Sequence, residues 1–210
     1  MDNNIELVYV MDPHCGWCFG FGKVVLELFE RYKNNPLVNF DIKPGGLFYP
    51  AIEIEEGFAD DKRPIAKRIE ELANVKFSEN YFTKVLGSGS LLDSEPPART
   101  ILCIKEINRD ILVPFTERLL EKEFIFGKNT SLNETIFENV KEFKIEETAF
   151  ERRYHSAEMK QKVILEFQQA RSMATGFPVL FVKHKNQLTK LAGGYAPTER
   201  LVKKIEAILG

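Results

Sequence analysis

Ile5-Glu6-Leu7-Val8-Tyr9-Val10-Met11-Asp12-Pro13-His14-Cys15-Gly16-Trp17-Cys18 is the stretch whose reading decides the fold. Residues 5–11 are a short, β-prone and mostly apolar run, which reads as a buried strand. Asp12-Pro13 breaks it. The helix that follows starts around Cys15, continues through Val24-Val25-Leu26-Glu27-Leu28-Phe29 to near Tyr32, and stops ahead of Asn34-Asn35-Pro36. Two cysteines separated by Gly16 and Trp17 therefore stand at a strand-to-helix junction. Cys18 falls about one turn after Cys15, close enough for the two sulfurs to bond.

Outward from this junction, Leu37-Val38-Asn39-Phe40-Asp41-Ile42 alternates as a second strand, closed by Pro44-Gly45-Gly46. Strand, helix and strand in this order make a parallel βαβ unit. The chain then turns helical: segments 62–74, 78–86, 97–108, 112–123, 132–140 and 145–154 all carry helical patterns. Their starts are marked by Ser78 ahead of Tyr81-Phe82, by Pro96-Pro97, and by Ser131 with Glu134 in capping-box spacing. Gly87-Ser88-Gly89-Ser90 is a loop and not a phosphate cradle, since no strand precedes it and no Gly-Lys-Ser/Thr follows. Residues 156–174 form a long amphipathic helix ending near Gly176. A strand at 178–182, a turn at 185–187, a strand at 188–192 and a last helix from Pro197-Thr198 to Leu209 complete the chain. The order β-α-β, helical block, α-β-β-α is an α/β thioredoxin fold with an all-helical domain inserted in its middle. The expected division is residues 1–48 plus 155–210 for a discontinuous thioredoxin-like domain and 49–154 for the insertion.

Composition narrows the function classes. The 210 residues are 44% hydrophobic, enough for a substantial core, and the 17 phenylalanines point to an aromatic-rich interior. A net charge of -2, from 29 basic and 31 acidic side chains, argues against nucleic-acid binding. The apolar run Leu7–Met11 is far too short to cross a membrane, and the opening Met-Asp-Asn-Asn-Ile-Glu lacks a basic region followed by an apolar one. The expectation is a cytoplasmic protein with no membrane partner. Three cysteines make no disulfide framework, and in a reducing compartment a close pair is catalytic or metal-binding.

The chemistry of the pair follows from its position. A thiolate, not a thiol, attacks a disulfide. At a helix start, unpaired backbone N–H groups and the helix dipole favour an anion. Cys15 is thus the expected attacking sulfur and Cys18, one turn inside, the resolving one. His14, if close to Cys15 and protonated, would further stabilise a thiolate; otherwise it is a solvent-exposed histidine that does little. Zinc needs four ligands, and Cys103, His14, His155 and His184 show no second pair at ligand spacing, so no metal is expected. Thr175-Gly176-Phe177-Pro178 precedes an apolar strand. A cis Phe177–Pro178 bond there would free the Phe177 backbone to pair with an extended peptide; the alternative is an ordinary trans proline opening the strand. Cys103 lies in an apolar helix and reads as a small core hydrophobe.

Asp12-Pro13-His14-Cys15-Gly16-Trp17-Cys18 and Thr175-Gly176-Phe177-Pro178-Val179-Leu180-Phe181-Val182 resemble the active-site and cis-proline segments of DsbA-family proteins. The nearer likeness is to the FrnE-like, predicted cytoplasmic protein-disulfide-isomerase branch, to which Pro97-Ala98-Arg99 is also similar. The resemblance spans nearly the whole chain. It implies Cys15 as nucleophile, Cys18 as resolving cysteine, and Phe177-Pro178 as the cis peptide facing the sulfurs, where substrate binds. His14, Gly16 and Trp17 form the surroundings. The histidine precedes the dithiol here, whereas the periplasmic oxidases keep it between the cysteines. The first strand offers no buried acid apart from Glu6, so no proton acceptor for Cys18 stands out. The kappa-type glutathione-linked branch uses serine where this chain has Cys15.

The expected function is therefore thiol–disulfide oxidoreduction, as a dithiol reductase or isomerase, on peptide or small-molecule disulfides. No tightly bound cofactor is expected, and a cellular thiol such as glutathione would be the reductant. Two other readings stand beside it: a glutathione-linked isomerase or transferase, and a non-catalytic, chaperone-like module binding clients on the helical lobe.

Overall fold

A computed structural model describes residues 4–210. The chain runs β1 (Ile5–Met11), α1 (Gly16–Tyr32) and β2 (Val38–Pro44). An inserted lobe follows, of β3 (Ile52–Glu53), α2 (Phe58–Ala73), β4 (Leu91–Leu92), α3 (Glu95–Ile107), α4 (Leu112–Phe124), α5 (Asn133–Glu142) and α6 (Glu147–Tyr154). It then returns through α7 (Ala157–Met173), β5 (Val179–His184), β6 (Gln187–Gly193) and α8 (Thr198–Leu209). The main sheet has the order β2-β1-β5-β6, with β1 parallel to β2, antiparallel to β5, and β5 antiparallel to β6. This is the thioredoxin fold with a helical insertion.

The apolar run of β1 is explained by its place at the interior of the sheet, covered on both faces. Period-two alternation sends Ile5, Leu7, Tyr9 and Met11 into the large core shared with α1 and the inserted helices. Val8 and Val10 face the other way and pack with Ala170 and Ala174 from the α7 side and with Val179 and Phe181 of β5. The inserted lobe sits on α1, which packs against α2 and α4. Close approach is built into the sequence: a Cβ on Gly16 would press on Ile69 and Phe77, and one on Gly20 would collide with Ile69 of α2.

Three local features differ from the sequence reading. The helix expected over 78–86 is a single π-turn, Tyr81–Val85, closed by Leu86 N–H to Tyr81 C=O at 3.0 Å. Tyr81 and Phe82 are drawn into an aromatic cluster with Phe77 and Phe124, and that packing prevails over regular α geometry. Ser131 does not cap α5, which begins at Asn133; its hydroxyl accepts from Asp93 N–H at 2.9 Å instead. A two-residue ladder, Ile52–Glu53 with Leu91–Leu92, ties the ends of an excursion that the sequence showed only as loop and helix.

Candidate active site

Cys15 is the N-cap residue of α1, with extended backbone (φ -87°, ψ 111°), and its carbonyl accepts from Cys18 N–H at 2.8 Å and Phe19 N–H at 3.1 Å. Its thiol keeps an edge on a groove, whereas Cys18 is completely buried one turn behind. Both are free thiols. Burial first, then the hydrogen bond and charge of neighbouring Cys15, push the Cys18 thiol well up. The Asp12 N–H donates to Cys18 Sγ at 3.5 Å. The Cys15 thiol donates to the Phe177 carbonyl at 3.7 Å, across 162 positions of sequence.

That carbonyl precedes a cis Phe177–Pro178 bond at the start of β5. The Phe177 ring lies directly against Gly45, where any Cβ would overlap it. The Gly45 segment is itself clamped: Arg171 of α7 donates to the carbonyls of Gly45 (3.1 Å), Gly46 and Tyr49 (3.3 Å). Its far end is held by side chains, with Leu47 N–H donating to Asp12 Oδ2 at 2.7 Å and Phe48 N–H to Ser94 Oγ at 2.9 Å. Asp12 is fully buried and takes two further donors, His14 N–H at 2.9 Å and Ser94 O–H at 3.1 Å. Burial still raises its carboxyl above the usual range, opposed by His14 and these donors.

His14 is buried, not exposed, and its ring makes no hydrogen bond to Cys15 among the described residues. Nδ1 donates to Glu123 Oε1 at 2.8 Å and Nε2 to the Asp93 carbonyl at 3.0 Å, with Ser131 Oγ 3.2 Å away. Burial pulls the imidazole toward neutrality, but the Glu123 charge and hydrogen bond outweigh it and lift it to about 9. With both ring nitrogens facing acceptors, His14 is an imidazolium anchored to the inserted lobe. Glu123 Oε2 in turn accepts from Thr130 N–H at 3.3 Å and from the Thr130 hydroxyl.

The groove in front of Cys15 encloses about 640 Å³, counting its open side. Gly16, Trp17, Leu47, Phe48, Ile65 and Ile69 form much of its wall, with Lys62 at hand and the Lys62 ammonium over the Phe58 ring. It is an apolar trough with the Cys15 sulfur at its edge. Cys15, Gly16 and Trp17 thus share one site with Cys18 behind them and Phe177-Pro178 beside them. Cys103 lies apart, buried in α3, its thiol pushed up to about 12 by burial. Among the described residues no cluster of three or more His, Cys, Asp or Glu side chains is placed to hold a metal. Glu6 is not a buried acid: it sits at the surface within 3.4 Å of Arg109.

Asp12, Ser94, Glu123, Ser131 and Arg171 escaped the sequence reading. Asp12 and Ser131 were read only as a strand break and a helix start, and Glu123 looks like an ordinary charged position beside Leu119, Leu120 and Phe124.

No protein-family model and no curated protein matches the sequence. Solved structures do match it in shape. A provisionally assigned protein disulfide isomerase from Nitrosomonas europaea is 23% identical, covers 98% of each chain and superposes with a TM-score of 0.86. The cytosolic disulfide reductase DsbM of Pseudomonas aeruginosa is 20% identical over 97% of this chain and 95% of its own, with a TM-score of 0.77. The same protein with GSH gives 0.73. The fold is that of the DsbA-type proteins. At this identity the likeness is one of architecture, and it extends over the inserted helical lobe as well as the thioredoxin part. No helix is long and apolar enough to cross a membrane.

Proposed function

We propose that the protein is a dithiol oxidoreductase that reduces or isomerises disulfides of peptides or small molecules through Cys15 and Cys18. The observation that carries this reading is the placement of Cys15. It caps α1, lies on an apolar groove, and has the Phe177 carbonyl 3.7 Å from its sulfur, with a fully buried Cys18 one turn behind.

The Cys15 thiolate attacks one sulfur of a substrate disulfide held along the groove. The Cys15–substrate bond forms as the substrate S–S bond breaks, and the other substrate sulfur leaves as thiolate. Cys18, as thiolate, then attacks the Cys15 sulfur. The Cys15–Cys18 disulfide forms, the second substrate sulfur departs, and two electrons have passed to the substrate. Isomerisation is the same first step with a different substrate thiol resolving the intermediate. The carbonyl of Phe177 stands where an extended peptide could donate to it, and the groove wall offers apolar contact to flanking side chains.

A cellular thiol, two molecules per turnover, would return Cys15–Cys18 to the dithiol. Glutathione suits this role, in line with the GSH-containing structure of Pseudomonas aeruginosa DsbM, itself described as a cytosolic reductase. A cytoplasmic setting and a substrate that is neither nucleic acid nor membrane accord with this. Insulin reduction at the expense of glutathione tests the proposal: Cys15→Ser is expected to abolish turnover, and turnover retained in that variant overturns it. The Cys15–Cys18 potential against glutathione gives direction, about -270 mV indicating a reductase and about -120 mV an oxidase.

A further inference from the structure

One buried acid takes no part in the dithiol site. Glu117 projects from α4 toward α1, so close to Gly22 that any Cβ there would collide with its Oε2. It is 8% exposed and makes no hydrogen bond or ion pair among the described residues. Burial, with a smaller push from Glu121, lifts its carboxyl to about 8. Its neighbours are few in charge. β1 presents Tyr9, α1 presents Gly22, Val25 and Leu26, and β2 presents Ile42. On the outer side stand Arg118 and Glu121 of its own helix and Glu142 of α5, with Arg118 already engaged by Glu121 (2.9 Å) and Glu142 (2.7 Å).

Tyr9 links this acid to the dithiol. Its hydroxyl donates to the Cys18 carbonyl at 3.0 Å, which sets the phenol beside the resolving cysteine. Between Tyr9 and Glu117 is a small cavity, also lined by Gly22, Ile42 and Thr116, about the size of one water molecule. Beyond Glu117 the surface opens into a cleft lined by Leu26, Pro114, Arg118 and Phe143, which shares no residue with the substrate groove.

The resolving step requires a proton to leave a thiol that has no access to solvent. Asp12 is the other acid near Cys18, but its carboxylate is already filled by Leu47, His14 and Ser94 donors. We propose that Glu117 accepts the Cys18 proton through Tyr9 and releases it into the cleft on the far side, so that proton and substrate leave by separate routes. This rests on the dithiol reading. Cys18–SH and the Glu117 carboxylate become Cys18–S⁻ and the Glu117 carboxyl, Tyr9 passing on one proton as it takes up another. The Cys18 thiolate forms its bond to Cys15 as the Cys15–substrate bond breaks, the substrate sulfur keeps the electron pair, and Glu117 returns its proton to water. Glu117 works through Tyr9 and is a positioning residue for the proton.

The test uses the whole protein charged at Cys15 with thionitrobenzoate, following release of that thiolate by stopped-flow absorbance from acid to alkaline pH. Wild-type release should rise through an inflection near 8. In Glu117→Gln, release near neutrality should slow by about tenfold or more and the inflection should vanish, while the bimolecular charging of Cys15 stays unchanged. Tyr9→Phe should do the same, and Glu117→Met provides a second, apolar filling of the site. A folded Gln or Met variant with the wild-type profile overturns the relay and leaves the proton to Asp12. If wild-type protein releases no thionitrobenzoate, the failure lies with the dithiol reading itself.

Discussion

His14 Nδ1 and Glu123 Oε1 lie 2.8 Å apart inside the protein, joined across 109 positions of sequence. The pair fastens the residue before Cys15 to α4 of the inserted lobe. Both side chains are removed from water, which makes the partnership asymmetric. Together they neutralise one another; alone, either is a buried charge. Glu123→Ala should therefore cost about 3–5 kcal/mol of stability. His14 also sets a pH dependence. Its folded pKa is raised, from 6.5 to about 9, so its contribution is fully present below 6.5 and is lost as pH rises through 9. Over that window the loss is on the order of 3 kcal/mol. Urea denaturation at neutral and alkaline pH should show it, and Glu123→Gln should flatten the curve. An equally steep curve in that variant would exclude the pair as its source.

Glu117 bears on stability with its own sign. Its folded pKa is raised from 4.5 to about 8, so the folded state holds a proton that the unfolded chain gives up. Stability from this group is full below 4.5 and declines as pH rises through 8. The decline is roughly 1.4 kcal/mol for each tenfold difference in proton affinity between folded and unfolded chains, before structural relaxation. Glu117→Gln keeps the shape and removes the titration. The variant should melt several degrees above wild type at mildly alkaline pH, and the gap should close in acid. Glu123→Gln leaves Glu117 in place, so the two contributions separate in the double variant. A Glu117→Gln protein less stable than wild type at alkaline pH would contradict the burial argument.

Much of the fold was legible because its signals are local. The apolar run of β1, the Asp12-Pro13 break and the cysteine spacing lie within fourteen consecutive residues, 5–18, and each depends only on near neighbours in sequence. Phe177-Pro178 was readable as a strand start for the same reason. The support around the site was not. Ser131 and Glu134 have capping-box spacing, yet the Ser131 hydroxyl is turned to Asp93 and His14. Glu117 and Glu123 look like ordinary charged positions of an amphipathic helix. What makes them unusual is that α1 covers that face, and the glycines that permit it, Gly16, Gly20 and Gly22, reveal nothing until their partners are in place.

The three thiols should separate sharply by access. Cys15 has an edge on the groove, Cys18 is sealed behind it, and Cys103 is buried in α3 with its thiol pushed up to about 12. Brief treatment of the native, reduced protein with one equivalent of iodoacetamide should label Cys15 alone, read by peptide mass spectrometry. Cys103→Ala should leave insulin reduction within about twofold of wild type, since a buried Cys acts as a small hydrophobe. Labelling of Cys103 before Cys15 would mean that the helical lobe opens more readily than its packing implies.

Gly45 offers the most direct test of how the cis-proline segment is aimed. The Phe177 ring occupies the space a Cβ on Gly45 would need, and the carbonyl of the same Phe177 is the partner of Cys15 Sγ. Gly45→Ala must push the ring, and the backbone with it, away from its seat; Arg171 restrains Gly45 from retreating. The charge and identity of the reacting sulfurs are untouched. Overpacking of this kind costs about 1–3 kcal/mol. The expected result is a KM for peptide disulfides raised by about tenfold, with alkylation of Cys15 little changed, because the lost element is substrate alignment. Gly176→Ala supplies the control. It lies next to Phe177 in sequence, but a Cβ there meets nothing within 4 Å. It should behave as wild type, and steady-state kinetics of the two variants side by side distinguish ring displacement from any general intolerance of the loop. Equal effects of both substitutions would refute the assignment of Gly45 as the seat of Phe177.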